Sequence, residues 1–237
     1  NWTIVGKETP TSFTGYEELE SKANLIKYKQ GEDHYEIVLD KTPFYAESGG
    51  QIGDMGTLSA DDFSFKVMDV QKIGDEFIHV GKIESGSIQE IQKVDAKINK
   101  DHRQKIRRNH TATHLLHQTL KEILGEHVQQ AGSLVTAESL RFDLTHYEQI
   151  SNSLIEEIGA RINSVILQNK IVETEIKNYA LALEEGATSL FGEKYGDIVR
   201  VVNVPGFSKE LCGGTHVNRT GDIGGIKIIS ESALAAG

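Results

Sequence analysis

The chain has 237 residues, with 25 Lys and Arg against 35 Asp and Glu and a formal net charge of -10. That length accommodates one large domain or two small ones with cores of their own, and the acidic balance restricts any nucleic-acid contact to a local cationic surface. No apolar run approaches the ~20 residues that span a bilayer, and the single cysteine, Cys212, cannot pair internally, so a cytosolic setting is expected.

The chain opens on Asn1 and Trp2, without an initiator methionine or a charged segment leading into an apolar one. A signal peptide is therefore not expected, and a piece of a longer protein is. Up to about Asn99 the pattern reads as strands: "HYEIVLD", "FSFKVMDVQ", "EFIHVGKI" and "KVDAKI" alternate apolar with polar residues between Gly, Asp and Ser clusters. Short strands with tight turns predict a small β-barrel over 1–99. The Gly-rich "ESGGQIGDMG" lacks the G-x-x-x-x-G-K-[ST] order of a phosphate loop and reads as a turn between barrel strands.

From residue 100 the character changes. "KDHRQKIRR" carries Lys100, Arg103, Lys105, Arg107 and Arg108 against Asp101, a local cationic run on a helix expected to reach Leu124 and stop at Gly125. A second helix is expected from Ile150, Leu154, Ile155, Ile158, Ile162, Val165 and Ile166 at three-and-four spacing. "QQAGSLV" and "SLRFDL" predict a hairpin, and "VETEIK", "IVRVVNV" and "IKIIS" predict strands. The fold class expected is α+β: an N-terminal barrel, then a core over 100–237 with helices packed on an antiparallel sheet.

Within the first helix, "NHTATHLLH" places His110, His114 and His117 in one stripe beside the arc of Ile106, Leu116, Leu120 and Leu124, at the border of the buried face. Residues four apart project to one side, so His110 and His114 reach a common point. About a hundred residues on, "ELCGGTHV" repeats the spacing with Cys212 and His216, around glycines whose freedom at positive φ lets a loop curl toward a shared centre. One sulfur and three nitrogens suit tetrahedral zinc. His117 shares the stripe, but Cys212 is the better fourth ligand. His34, His79, His102, His127 and His146 read as surface or structural.

The blocks "FTGYEELE", "TPFYAESGGQIGD", "NHTATHLLH", "GSLV", "LRFDLTH", "LFGEKYGD" and "FSKELCGGTHV", in this order, resemble the editing domain of alanyl-tRNA synthetase, shared with free-standing editing proteins and related to a domain of threonyl-tRNA synthetase. The resemblance implies a cytoplasmic module that hydrolyses the ester joining serine or glycine to the tRNA specific for alanine, with one Zn2+ on His110, His114, Cys212 and His216. It implies an aminoacylation domain before Asn1 and an oligomerisation domain after Gly237, and no use of ATP by this segment. Gln130 matches a family glutamine that precedes Lys-Gly-Ser; Ala131 stands where that lysine is usual. Gln130 and Cys212 are the candidate catalytic residues. Serine is larger than alanine, so selection requires a polar partner for its hydroxyl; Gln130, Thr111, Thr113 or the metal are candidates. Arg107, Arg108 and Arg141 are candidate contacts to the tRNA backbone. Two other readings are a non-catalytic, zinc-stabilised RNA-binding domain and a free-standing editing protein. A zinc peptidase is disfavoured, because Thr111 stands where H-E-x-x-H carries its glutamate.

Overall fold

A computed structural model describes residues 1–190 and 194–233; residues 191–193, within "LFGEKYGD", lie outside the described residues. The chain divides into two compact units, Asn1–Lys105 and Ile106–Gly237.

The first unit holds strands β1 (Thr3–Ile4), β2 (Ser12–Phe13), β3 (Glu20–Gln30), β4 (Tyr35–Leu39), β5 (Lys41–Thr42), β6 (Gly56–Ala60), β7 (Phe63–Ile73), β8 (Glu76–Ser85) and β9 (Lys93–Ile98). Six of them run β3-β4-β8-β7-β6-β9, and β9 pairs back onto β3, so the antiparallel sheet closes into the expected barrel. Closure removes the unpaired strand edges that an open sheet exposes. Alternation drives the packing: in β9 every second residue is buried, and Val94, Ala96 and Ile98 join Leu25, Ile37, Leu39, Leu58, Phe65 and Val67 in the interior. The longest strand absent from the sequence reading is β3. Its alternation breaks at a bulge between Leu25 and Lys27, and Lys27 is itself buried, its ammonium 2.8 Å from Glu76 and over the Trp2 ring.

The Gly-rich segment is the turn that its composition suggests. Ser48 and Gln51 exchange both backbone hydrogen bonds, and Gly49 and Gly50 take φ of 58° and 82°, the two left-handed residues that a tight two-residue hairpin needs. Beyond it, Asp54 and Arg103 form a buried ion pair, with Arg103 Nε donating at 3.0 Å to both carboxylate oxygens and its Nη groups reaching the carbonyls of Gly15 and Pro43. Arg103 is thus structural, although the sequence groups it with the cationic run.

Helix α1 (Lys100–Leu124) starts where the Asn99 side chain accepts from the His102 amide at 3.0 Å, a helix cap. It ends at Gly125, whose φ is 117°. The second unit continues with β10 (Gln130–Val135) and β11 (Leu140–Leu144), the expected hairpin, then α2 (Asn152–Leu167), β12 (Glu173–Asn178), α3 (Tyr179–Glu184), β13 (Ile198–Val204) and β14 (Ser208–Leu211). Ser151 caps α2, and Ile158, Ile162, Val165 and Ile166 bury its apolar stripe against Ala112, Leu115 and Leu120 of α1, with Val204 and Val217.

Among the described residues the strands of this unit form two antiparallel sheets, the β10-β11 hairpin and a three-stranded β12-β13-β14 sheet. One expectation needs correction. "IKIIS" is irregular: the Asn163 side chain of α2 donates to Ile226 O at 3.0 Å and accepts from Ile226 N at 2.9 Å, taking the backbone groups that a neighbouring strand would pair.

Candidate metal centre

The four donors named from sequence come together. The ligand atoms of His110, His114, Cys212 and His216 lie within 4.8 Å of one another. Cys212 Sγ is 3.5 Å from His110 Nε2 and 3.3 Å from His216 Nε2. The imidazole rings of His110 and His114 stack, with centroids 5.4 Å apart, because one helical turn separates them on one face. His110, His114 and His117 are all buried, deeper than the border position read from the helical wheel, because β14 and the loop after it cover this face.

That loop is held by hydrogen bonds rather than by the expected left-handed glycines: neither Gly213 nor Gly214 takes a positive φ. Gly214 N donates to Cys212 Sγ at 3.3 Å, and Arg200 Nη1 donates to the carbonyls of Cys212 (3.2 Å) and Gly214 (2.6 Å). Arg107 secures the far side, with Nε donating to His216 O and Nη2 to Asn218 Oδ1 at 3.1 Å. Thr111 Oγ1 accepts from Val217 N and lies 3.1 Å from His216 Nδ1. A hydroxyl oxygen has two lone pairs, so it can also accept an Nδ1–H and leave His216 Nε2 free to bind.

Glu210, which the sequence reading missed, completes the arrangement. Its Oε1 lies 3.3 Å from His114 Nδ1 and its Oε2 3.0 Å from His117 Nδ1, and its side chain is buried. The sequence signal was present: Glu210 precedes Cys212 by two, and residues two apart on extended chain face the same way. Burial opposes charge on both partners, yet their attraction wins. The Glu210 carboxyl is held down to about 2 by His114 and His117, and His114 is pushed up to about 10 by Glu210 and Cys212. Burial likewise works against a thiolate at Cys212, but His110, His216 and His114 hold it well below the ordinary thiol range; burial takes His216 down to about 3. The Cys212 thiolate and the neutral His216 ring are forms that a metal takes up, whereas His114 must give up its Nε2 proton to bind one.

Residues 3–102 match the family described as tRNA synthetases class II (A), and 199–237 match the threonyl and alanyl tRNA synthetase second additional domain. The chain is 50% identical over 236 residues to the alanine–tRNA ligase of Thermoanaerobacter sp. (strain X514), covering 96% of this chain and 27% of that protein. It is 49% identical over 235 residues to that of Halorhodospira halophila (strain DSM 244 / SL1), covering 95% and 27%. The chain corresponds to an editing-domain region of alanyl-tRNA synthetases. It spans about a quarter of the length of these relatives.

The remaining named residues fall elsewhere in the unit. His117 stays outside the four-donor group and binds Glu210. Thr113 Oγ1 donates to Asn109 O at 2.8 Å, the back-bonded arrangement common for a helical threonine. Gln130 is half-buried at the start of β10 and donates to Ser133 Oγ at 3.2 Å. Arg141 is exposed and forked onto Asp143 at 3.1 Å, and Arg108 is exposed on α1. No described helix is long and apolar enough to cross a membrane.

Proposed function

We propose that this chain is an aminoacyl-tRNA deacylase module that hydrolyses the ester joining serine or glycine to the tRNA for alanine, with zinc on His110, His114, Cys212 and His216. The observation that carries the reading is the meeting of four donors from two segments about a hundred residues apart, in a chain that corresponds to this region of alanyl-tRNA synthetases. The donor set fits the ion: one thiolate and three imidazole nitrogens are ligands that zinc takes in tetrahedral sites. His114 Nε2 fits it too, being buried without a hydrogen-bond partner while Nδ1 faces Glu210. When bound, the ion supplies a positive charge and Lewis acidity toward a carbonyl oxygen.

The chain's own residues do the rest. Cys212 is held as a thiolate, Thr111 and Arg107 fix His216 and its loop, and Glu210 fixes His114. Gln130 and Cys212 remain the proposed catalytic residues. The Thr113 hydroxyl, having donated to Asn109 O, keeps lone pairs for a seryl hydroxyl. Thr111, Thr113 and Gln130 are the candidate specificity groups: a substrate alanine would leave a partner of the seryl hydroxyl unpaired, the penalty that permits discrimination. Arg108 and Arg141, both exposed, serve the tRNA backbone, whereas Arg107 is engaged by the loop. Cytoplasmic protein synthesis is the setting of this reading.

One feature favours a second reading, a zinc-stapled tRNA-binding domain without catalysis: four protein ligands complete a tetrahedron and leave no open position. Release of serine from seryl-tRNA for alanine separates the two. The first reading expects release above the uncatalysed rate, lost together with zinc in Cys212→Ser and His114→Ala. A zinc-loaded wild-type chain that binds the tRNA and releases no serine leaves only the staple.

A further inference from the structure

We infer that His117 is a positioning residue for the metal centre, acting through Glu210 on His114. The inference rests on the metal reading above and assigns a task to a buried histidine that the four-donor set does not use. His117 is 3% exposed, and Glu210 is the polar partner of its Nδ1, while its Nε2 is buried with none. A buried orphan N–H costs more than an orphan lone pair, which fixes the tautomer: Nδ1 carries the proton and donates it to Glu210 Oε2.

The consequence passes through the carboxylate. Glu210 has two oxygens, and each faces one imidazole, Oε2 toward His117 at 3.0 Å and Oε1 toward His114 at 3.3 Å. The shorter contact comes from the residue that is not a ligand. It holds the carboxylate plane so that Oε1 stays on His114 Nδ1, and a carboxylate accepting at Nδ1 leaves His114 Nε2 as the atom presented to the cluster. Helical geometry makes the arrangement possible: His114 and His117 are three residues apart on α1, a separation at which side chains are neighbours, so one carboxylate from β14 reaches both. Phe142 packs beside the His117 ring, with centroids 5.2 Å apart, and limits its rotation.

The test is metal affinity of the full chain, measured with Co2+ and Zn2+ against a competing chelator, with the thiolate-to-cobalt charge-transfer band reporting Cys212. Loss of an outer-shell partner typically weakens binding about tenfold or more, and about tenfold is expected for His117→Leu with the band retained. Asparagine places its amide N–H where Nδ1–H stood, and glutamine places it nearer Nε2. His117→Asn is therefore expected to bind within about threefold of wild type and His117→Gln to stay weakened, on the same outer-shell scale. Equal affinities of His117→Asn and His117→Gln would overturn the inference, and this comparison decides it even where the leucine variant does not fold. Wild type binding normally, His114→Ala losing metal and His117→Leu unchanged would overturn the relay alone. No cobalt binding by wild type would overturn the metal reading, and this inference with it.

Discussion

His79 sits wholly buried in the barrel, and its titration sets a measurable pH dependence. Its Nε2 is 2.7 Å from Thr42 Oγ1, which accepts from Phe44 N, so the hydroxyl proton points at Nε2 and the ring donates from Nδ1 to Ile37 O at 3.0 Å. That network suits the neutral ring. Burial pushes its pKa down from 6.5 to about 4, against the upward pull of the Ile37 carbonyl. The unfolded chain then binds the proton more readily than the folded one between pH 6.5 and 4, so stability from this group is complete above pH 6.5 and is lost as the pH falls. From these two values the loss is about 2 kcal/mol at pH 5 and about 3 kcal/mol at pH 4. Carboxylates titrate in the same range, so the useful quantity is the gap between wild type and His79→Gln. Trp2, the single tryptophan of the chain, packs with Ile26, Val38 and Ile78, and its fluorescence reports barrel unfolding in urea. The gap should narrow by about 2 kcal/mol between pH 7 and pH 5. Parallel curves for the two proteins over that range would refute the argument.

Other substitutions probe the rest of the structure. Arg103→Leu leaves Asp54 buried and unpaired, and should cost about 3–5 kcal/mol of barrel stability in the same urea assay, with no change expected in the ring environment of His110 by NMR. Asn163→Ala removes both hydrogen bonds to Ile226 and should lower the melting stability of the second unit by about 1–3 kcal/mol. Thr111→Val keeps the shape and removes the acceptor for Val217 N and the partner of His216 Nδ1; zinc affinity by chelator competition should fall about tenfold. Thr113→Val, whose hydroxyl serves Asn109 O, should leave zinc affinity unchanged and alter only the rate of serine release.

The barrel was legible where alternation is clean, as in β7, β8 and β9, and illegible in β3, where a bulge and a buried lysine break the period. Both long helices could be read because a cap, an apolar stripe and, for α1, a terminal glycine coincide. "IKIIS" looked like a strand because its isoleucines are apolar, but propensity does not reveal that the Asn163 side chain occupies its backbone groups. The donor tetrad could be read from two repeated four-residue spacings. Its supports could not: whether Arg103 and Arg107 meet a phosphate or a carbonyl depends on chain that lies far away in sequence. Glu210 is one of 35 acidic residues, and its two-residue step from Cys212 gains meaning once the segment is known to be extended.

X-ray absorption at the zinc edge of the loaded chain tests the tetrad most directly. One sulfur at about 2.3 Å and three nitrogens at about 2.0–2.1 Å, with one zinc per chain, is the expected result. A zinc shell without sulfur would contradict the placement of Cys212 at the centre.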